Sequence, residues 1–131
     1  MNVFQEYTKC SWYIVKHPQL NATTNLFGGQ LLAWLDEATA IYASTYMAEN
    51  RVVTARLNGL DFQIPTELGM VVTIWAKVIK EGNSSLTLEA VATKRRMGDQ
   101  EEIEVAKTTL VFVAIDDEDN SKVWKPERFT N

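Results

Sequence analysis

Hydrophobic and polar residues follow two different rhythms along this chain. Residues 7–15 are dense in aromatic and β-branched types and read as a strand, which Pro18 closes. A polar stretch over residues 19–25, with two Asn and two Thr, reads as a loop. Gly28-Gly29 then opens a run to about Glu49 that holds no proline and no further glycine, the only long helix, ~33 Å at ~1.5 Å per residue. At 100° per residue Leu31, Leu35, Ala38 and Tyr42 share one face, flanked by Trp34 and Ile41 on one side and Leu32 and Tyr46 on the other. The opposite side carries Ala33, Ala40 and Ser44, small enough for another element to approach closely. A helix apolar around most of its circumference is a buried helix, and in a chain this short only a sheet wrapped around it can bury it. Residues 51–62, 70–80, 85–95 and 103–115 supply that sheet by period-two alternation or dense β-branched content: Val72, Ile74, Ala76 and Val78 alternate with Val71, Thr73, Trp75 and Lys77. Turn signals at residues 65–69, 81–83 and 97–100 make short links, so the later strands run antiparallel. The expected architecture is α+β, one domain over residues 1–131, with a solvated turn at 116–120 and a tail over 121–131.

Composition narrows the class of protein. The length of 131 residues suits a single core. A net charge of −4 and a pI near 5.0 argue against nucleic acid as the main partner, because phosphate binding wants a basic surface. The single cysteine, Cys10, permits no intrachain disulfide and suits a cytoplasmic setting. The first residues lack the basic-then-apolar pattern of a signal peptide, and no stretch reaches the ~18 apolar residues of a membrane span. A soluble cytoplasmic protein with no membrane partner is the expectation.

Few residues present themselves as chemistry. Asp36 lies mid-helix at the border of the apolar face, where an ionised carboxylate is costly to bury without partners. Its neighbour Glu37 points about 100° away, toward solvent. Gly28-Gly29 precedes a helix N-terminus, whose unpaired N–H groups suit an oxygen that gains negative charge. Asn21 alone is indistinguishable from an ordinary loop residue, and His17, before Pro18, reads as exposed. With that one histidine no metal site can be assembled. Lys94-Arg95-Arg96 is the one basic cluster, a solvated hairpin end or a holder of phosphates; Trp124-Lys125-Pro126 adds an aromatic and a cation of little specificity. Neither G-x-S-x-G nor G-x-x-x-x-G-K occurs.

Taken together, N-A-T-T-N-L-F-G-G-Q-L-L-A-W-L-D-E-A at residues 21–38 resembles the signature of the hotdog-fold acyl-CoA thioesterases: an Asn, a short loop, F-G-G, and an Asp seven residues after the second Gly. R-V-V-T-A-R at 51–56, F-Q-I-P at 62–65 with Gly69, and K-R at 94–95 continue the likeness in order, over roughly residues 21–116. One position departs: the Gly usual three residues after the Asn is Thr24. The resemblance implies a single hotdog domain that hydrolyses acyl-CoA to a free acid and coenzyme A, with no metal or other cofactor. It implies Asp36 as general base or nucleophile, the Gly29 N–H polarising the thioester carbonyl, and Asn21 of a partner subunit orienting water or substrate. Gly28, Val53, Thr54, Arg56, Lys94 and Arg95 would hold the substrate, pantetheine and phosphates included. A homodimer would be the minimal unit, assembled further into a trimer of dimers. Two rivals stand beside this. A hydratase would need a His paired with a carboxylate, and His17 sits in no such motif. A non-catalytic acyl-CoA-binding regulator would keep Gly29 and the basic cluster but need keep neither Asp36 nor Asn21.

Overall fold

In the computed structural model, which describes residues 6–61 and 63–125, the first strand-like stretch forms β1 (Thr8–Ile14). Pro18 fixes φ inside a 3-10 turn, His17–Gln19, and so ends the extended run. Helix α1 spans Gly28–Met47. It stops at Ala48, which takes a left-handed φ of 56°, and the N–H groups of Ala48 and Glu49 close on the carbonyls of Thr45 and Ser44. Strands β2 (Val52–Leu57), β3 (Val71–Glu81), β4 (Ser85–Arg95) and β5 (Ile103–Ala114) follow. They make one sheet in the order β1-β3-β4-β5-β2, every neighbouring pair antiparallel. β1 and β2 are therefore the two edges, and residues 58–70 carry the chain from the β2 edge across the sheet to β3, beside β1.

Alternation along β3, β4 and β5 puts Val72, Ile74, Leu86, Leu88, Ala90, Ala92, Ala106, Leu110 and Phe112 into one core with Leu31, Trp34, Leu35, Ala38, Ala43 and Met47 of α1. Two cross-strand alanine pairs, Ala76 with Ala90 and Ala92 with Ala106, make a shallow floor in the sheet where the helix can lie close. Trp34 reaches the β1 edge and stacks flat on Tyr13, ring centroids 4.5 Å apart.

The structure departs from the sequence reading in three places. Regular pairing in β2 ends at Leu57, short of the expected residue 62. Beyond it the chain still follows β5, but through single bonds from the N–H groups of Asn58, Asp61 and Ile64 to the carbonyls of Thr109, Lys107 and Val105. The alternating pattern reports a chain lying along the sheet; it does not report whether a full ladder forms. Second, α1 is covered on one side only. Ile41 is 64% exposed and Ala33 and Glu37 lie in the open, because five strands curve round a single face and β2 is a short edge. Third, residues 121–125, in the stretch expected as a tail, clasp the end of α1. Trp124 is buried, donates from Nε1 to the Ser85 carbonyl at 3.0 Å, and meets the Tyr46 ring edge-on; Lys122 pairs with the buried Glu49 carboxylate at 2.9 Å. Pro126, the rest of that stretch, and Phe62 lie outside the described residues.

The loop into α1 is a tight knot. The side-chain carbonyl of Asn21 accepts from the N–H groups of Thr23 (2.9 Å) and Asn25 (3.1 Å) and from the Thr23 hydroxyl (2.8 Å). Thr24 sits between them at a φ of 64°, the conformation a glycine would adopt freely and a β-branched residue adopts under strain.

Two stability measurements follow by urea denaturation. Trp124→Ala should destabilise the fold by about 3–5 kcal/mol, the usual effect of emptying a buried tryptophan site; a loss below about 1 kcal/mol would show the clasp to be idle. Thr24→Gly should stabilise it by about 0.5–1 kcal/mol, the left-handed strain of roughly 1–2 kcal/mol relieved less the extra chain entropy of glycine.

Candidate active site

Asp36 stands near the middle of α1 on the side turned to β2, half-buried. The Thr54 hydroxyl of β2 donates to its Oδ1 at 2.8 Å. Among the described residues the second carboxylate oxygen has no partner and no cation pairs with the group. A carboxylate steadied by one neutral hydroxyl keeps a free acceptor oxygen. Beside it, a groove of about 440 Å³ runs between helix and edge strand, lined by Ala40, Ile41, Ser44, Asn50, Arg51, Val52, Val53 and Ile115. Ala40 and Ser44 are one and two turns beyond Asp36 on the same stripe, and their small side chains form the trough.

A second cluster gathers at the start of α1. Asn21 lines a pocket of about 180 Å³ with Thr23, Asn25, Leu26, Leu31 and residues 63–66 of the crossover. Since the Asn21 carbonyl oxygen is held by its own loop, only its amide Nδ2 is left to act on anything else. Each glycine of the pair leaves room for one side chain. A Cβ on Gly28 would lie 3.3 Å from Oε1 of Gln63, and one on Gly29 would lie 2.5 Å from the Phe27 ring. The N–H groups of Gln30 and Leu31 turn back to the Phe27 carbonyl; those of Gly28 and Gly29 have no partner among the described residues. Asp36 is seven residues on from Gly29, two turns along one stripe and about 10 Å along the axis at ~1.5 Å per residue. One chain thus holds an acceptor cluster of Asp36, Thr54 and Val53, and a donor cluster of Asn21, Gly28 and Gly29.

The basic cluster is divided by the strand pleat. Lys94 is buried, donating to the Pro65 carbonyl and lying 3.7 Å from Glu67, so it ties β4 to the crossover. Arg95, on the other side of the strand, pairs with Glu102 at 3.2 Å. Arg96 and Arg56 are exposed and have no ion-pair partner among the described residues. His17 is exposed in its 3-10 turn and pairs with no carboxylate there. Burial pushes the Cys10 thiol up to about 11, which keeps it protonated at neutral pH and a poor nucleophile. Among the described residues no three of His, Cys, Asp and Glu converge as a metal would need, and no helix is long and apolar enough to cross a membrane. Gln63 fell within the F-Q-I-P run of the family likeness, but nothing in the sequence marked it as a site residue.

The sequence profile of the thioesterase superfamily matches residues 23–99. An uncharacterised acyl-CoA thioester hydrolase of Zymomonas mobilis is 32% identical over 98 residues, 75% of this chain but 65% of the relative, so the match spans less than two thirds of that protein's length. A hexameric hotdog fold thioesterase of Campylobacter jejuni superposes with a TM-score of 0.81 at 26% identity, over 91% of each chain. An acyl-CoA hydrolase of Staphylococcus aureus, solved with butyryl coenzyme A and coenzyme A, superposes with a TM-score of 0.79 at 30% identity, over 86% of this chain and 68% of that one. With the profile match covering more than half of its length and the five-stranded antiparallel sheet laid on one long helix, this chain belongs to the thioesterase superfamily and has its hotdog fold.

Proposed function

We propose that the protein is an acyl-CoA thioester hydrolase, converting acyl-CoA and water to a carboxylic acid and coenzyme A. The observation that carries this reading is Asp36, a mid-helix carboxylate whose one partner among the described residues is Thr54, with its second acceptor oxygen left open beside a largely apolar groove. As general base, Asp36 takes a proton from water while the water oxygen bonds to the thioester carbon; the C–S bond then breaks and the proton passes to the departing thiolate. As nucleophile, it forms an acyl anhydride that water opens. In either course negative charge develops on the carbonyl oxygen, where the Gly29 N–H and the Asn21 amide can stabilise it. The reaction needs no metal or other cofactor, so activity should survive chelation by EDTA.

The working unit in this reading is a pair of chains. β2 is an open edge with unpaired backbone groups, and Ile41 (64% exposed) and Val53 (43% exposed) make the face beside it apolar. A second copy there would cover both and could bring its donor cluster to the Asp36 of the first. The hexameric Campylobacter relative supports further assembly, as a trimer of such pairs. Of the cations in the reading, exposed Arg56 on β2 is free to meet a substrate phosphate, whereas Lys94 and Arg95 are engaged within the chain.

The test is thiol release from a panel of acyl-CoA esters. Asp36→Ala should lower kcat by about 10²–10⁴-fold, the range for a lost general base, and unchanged activity would overturn the mechanism. Thr54→Val should cost about tenfold in kcat with folding intact, as expected for a lost hydrogen bond to a charged group. A single turnover in ¹⁸O-labelled water separates base from nucleophile: with a nucleophile, the first acid released carries an unlabelled enzyme oxygen. Tight acyl-CoA binding without thiol release would mark a binding regulator instead.

A further inference from the structure

Four groups that carry N–H donors lie around the start of α1 without a hydrogen-bond partner among the described residues. Three are the backbone N–H groups of Gly28 and Gly29 and the Asn21 amide. The fourth is the Gln63 carboxamide, which also has no partner among the described residues. It lies against the helix N-terminus, Oε1 and Nε2 at 3.3 and 3.5 Å from where a Gly28 Cβ would stand. It lines the same pocket of about 180 Å³ as Asn21. At ~30 Å³ per water that is space for about six waters, enough for the reacting end of a thioester but not for a whole acyl-CoA.

The position of Gln63 is held on the residues beside it. The Ile64 N–H donates to Val105 of β5 at 3.2 Å, the Pro65 carbonyl receives buried Lys94, and the Thr66 carbonyl receives the Leu26 N–H at 2.8 Å. The crossover is thereby stitched to β5, β4 and the Asn21 loop on consecutive residues, and Gln63 is the next residue outward. No carboxylate lines the pocket. A set of unpaired donors at the positive end of a helix is complementary to an oxygen bearing negative charge.

Resting on the thioesterase reading above, we propose that Gln63 is a further catalytic residue, whose amide donates to the thioester carbonyl oxygen together with Asn21 and the Gly29 N–H. Its carbonyl oxygen can turn away, since a carboxamide rotates about its last bond and solvent is open on that side.

Three proteins test this: wild type, Gln63→Leu and Gln63→Glu, assayed by thiol release over pH 5–8 with melting temperatures alongside. Gln63→Leu should melt like wild type and lose about ten- to hundredfold in kcat, with KM changed much less. Gln63→Glu should fall below Gln63→Leu at neutral pH, where its charge repels the developing oxyanion. It should recover as pH drops and the protonated acid becomes a donor again, and a merely structural glutamine would not produce that recovery. Gln63→Leu within twofold of wild type, or Gln63→Glu tracking Gln63→Leu at every pH, overturns the assignment while leaving the hydrolase reading intact. A wild type that releases no thiol, or a fully active Asp36→Ala, overturns the hydrolase reading and this assignment with it.

Discussion

A 20-residue helix that is apolar over most of its circumference needs more cover than one curved sheet of five strands can give. The rest of the molecule follows from how that shortage is resolved. The sheet takes the face of Leu31, Trp34, Leu35 and Ala38, using alanine pairs to bring the helix down onto its floor. The far end is closed by Trp124 and the strap around it. What stays open is the strip from Gly29 through Asp36 to Ser44, flanked by the short edge strand β2. Chemistry and association both fall on that strip because the fold has nothing left to put there.

The open strip is divided in sign. Its N-terminal end offers donors: two glycine N–H groups, the Asn21 amide and the Gln63 amide. Two turns on it offers an acceptor, Asp36, steadied by Thr54. Hydrolysis of a thioester needs such a pair, one pole to receive a proton from water and the other to receive the charge that moves onto the carbonyl oxygen. The helix dipole keeps the poles in order, since its positive end coincides with the donor cluster. Glycine at 28 and 29 matters for space here: each gives up a side chain so that a neighbour, Gln63 or Phe27, can lie on the helix end.

Much of this was legible in the sequence. Periodicity located the helix within two residues and every strand, because burial writes period two and period 3.6 directly into side-chain type. Asp36 stood out since a carboxylate amid Leu, Trp and Ala is conspicuous at any resolution. Four kinds of information stayed hidden. The crossover at 58–70 keeps an alternating pattern without a ladder, so its last residues looked like strand. Trp124 looked like tail, because a single buried aromatic in a polar context has no period to betray it. Lys94 and Arg95 looked like one patch, although the pleat sends them to opposite sides, one to Pro65 and one to Glu102. Gln63 showed only as one letter of F-Q-I-P, for its place beside Gly28 is a contact across the fold.

The Asn21 loop shows how the two poles are kept apart in function. Its carbonyl oxygen lies close enough to the donor cluster to compete for those N–H groups, but it is saturated by three donors from its own loop. Closing that knot forces residue 24 into left-handed backbone, and here a threonine bears it. The strain is local and does not spread, because Leu26 and Phe27 on one side and Leu20 on the other are bonded to the crossover, to Gln19 and to the 3-10 turn. A small cost in backbone energy thus leaves the Asn21 amide facing outward with its acceptor half silenced. The start of the helix is left as a cluster of donors without a partner among the described residues.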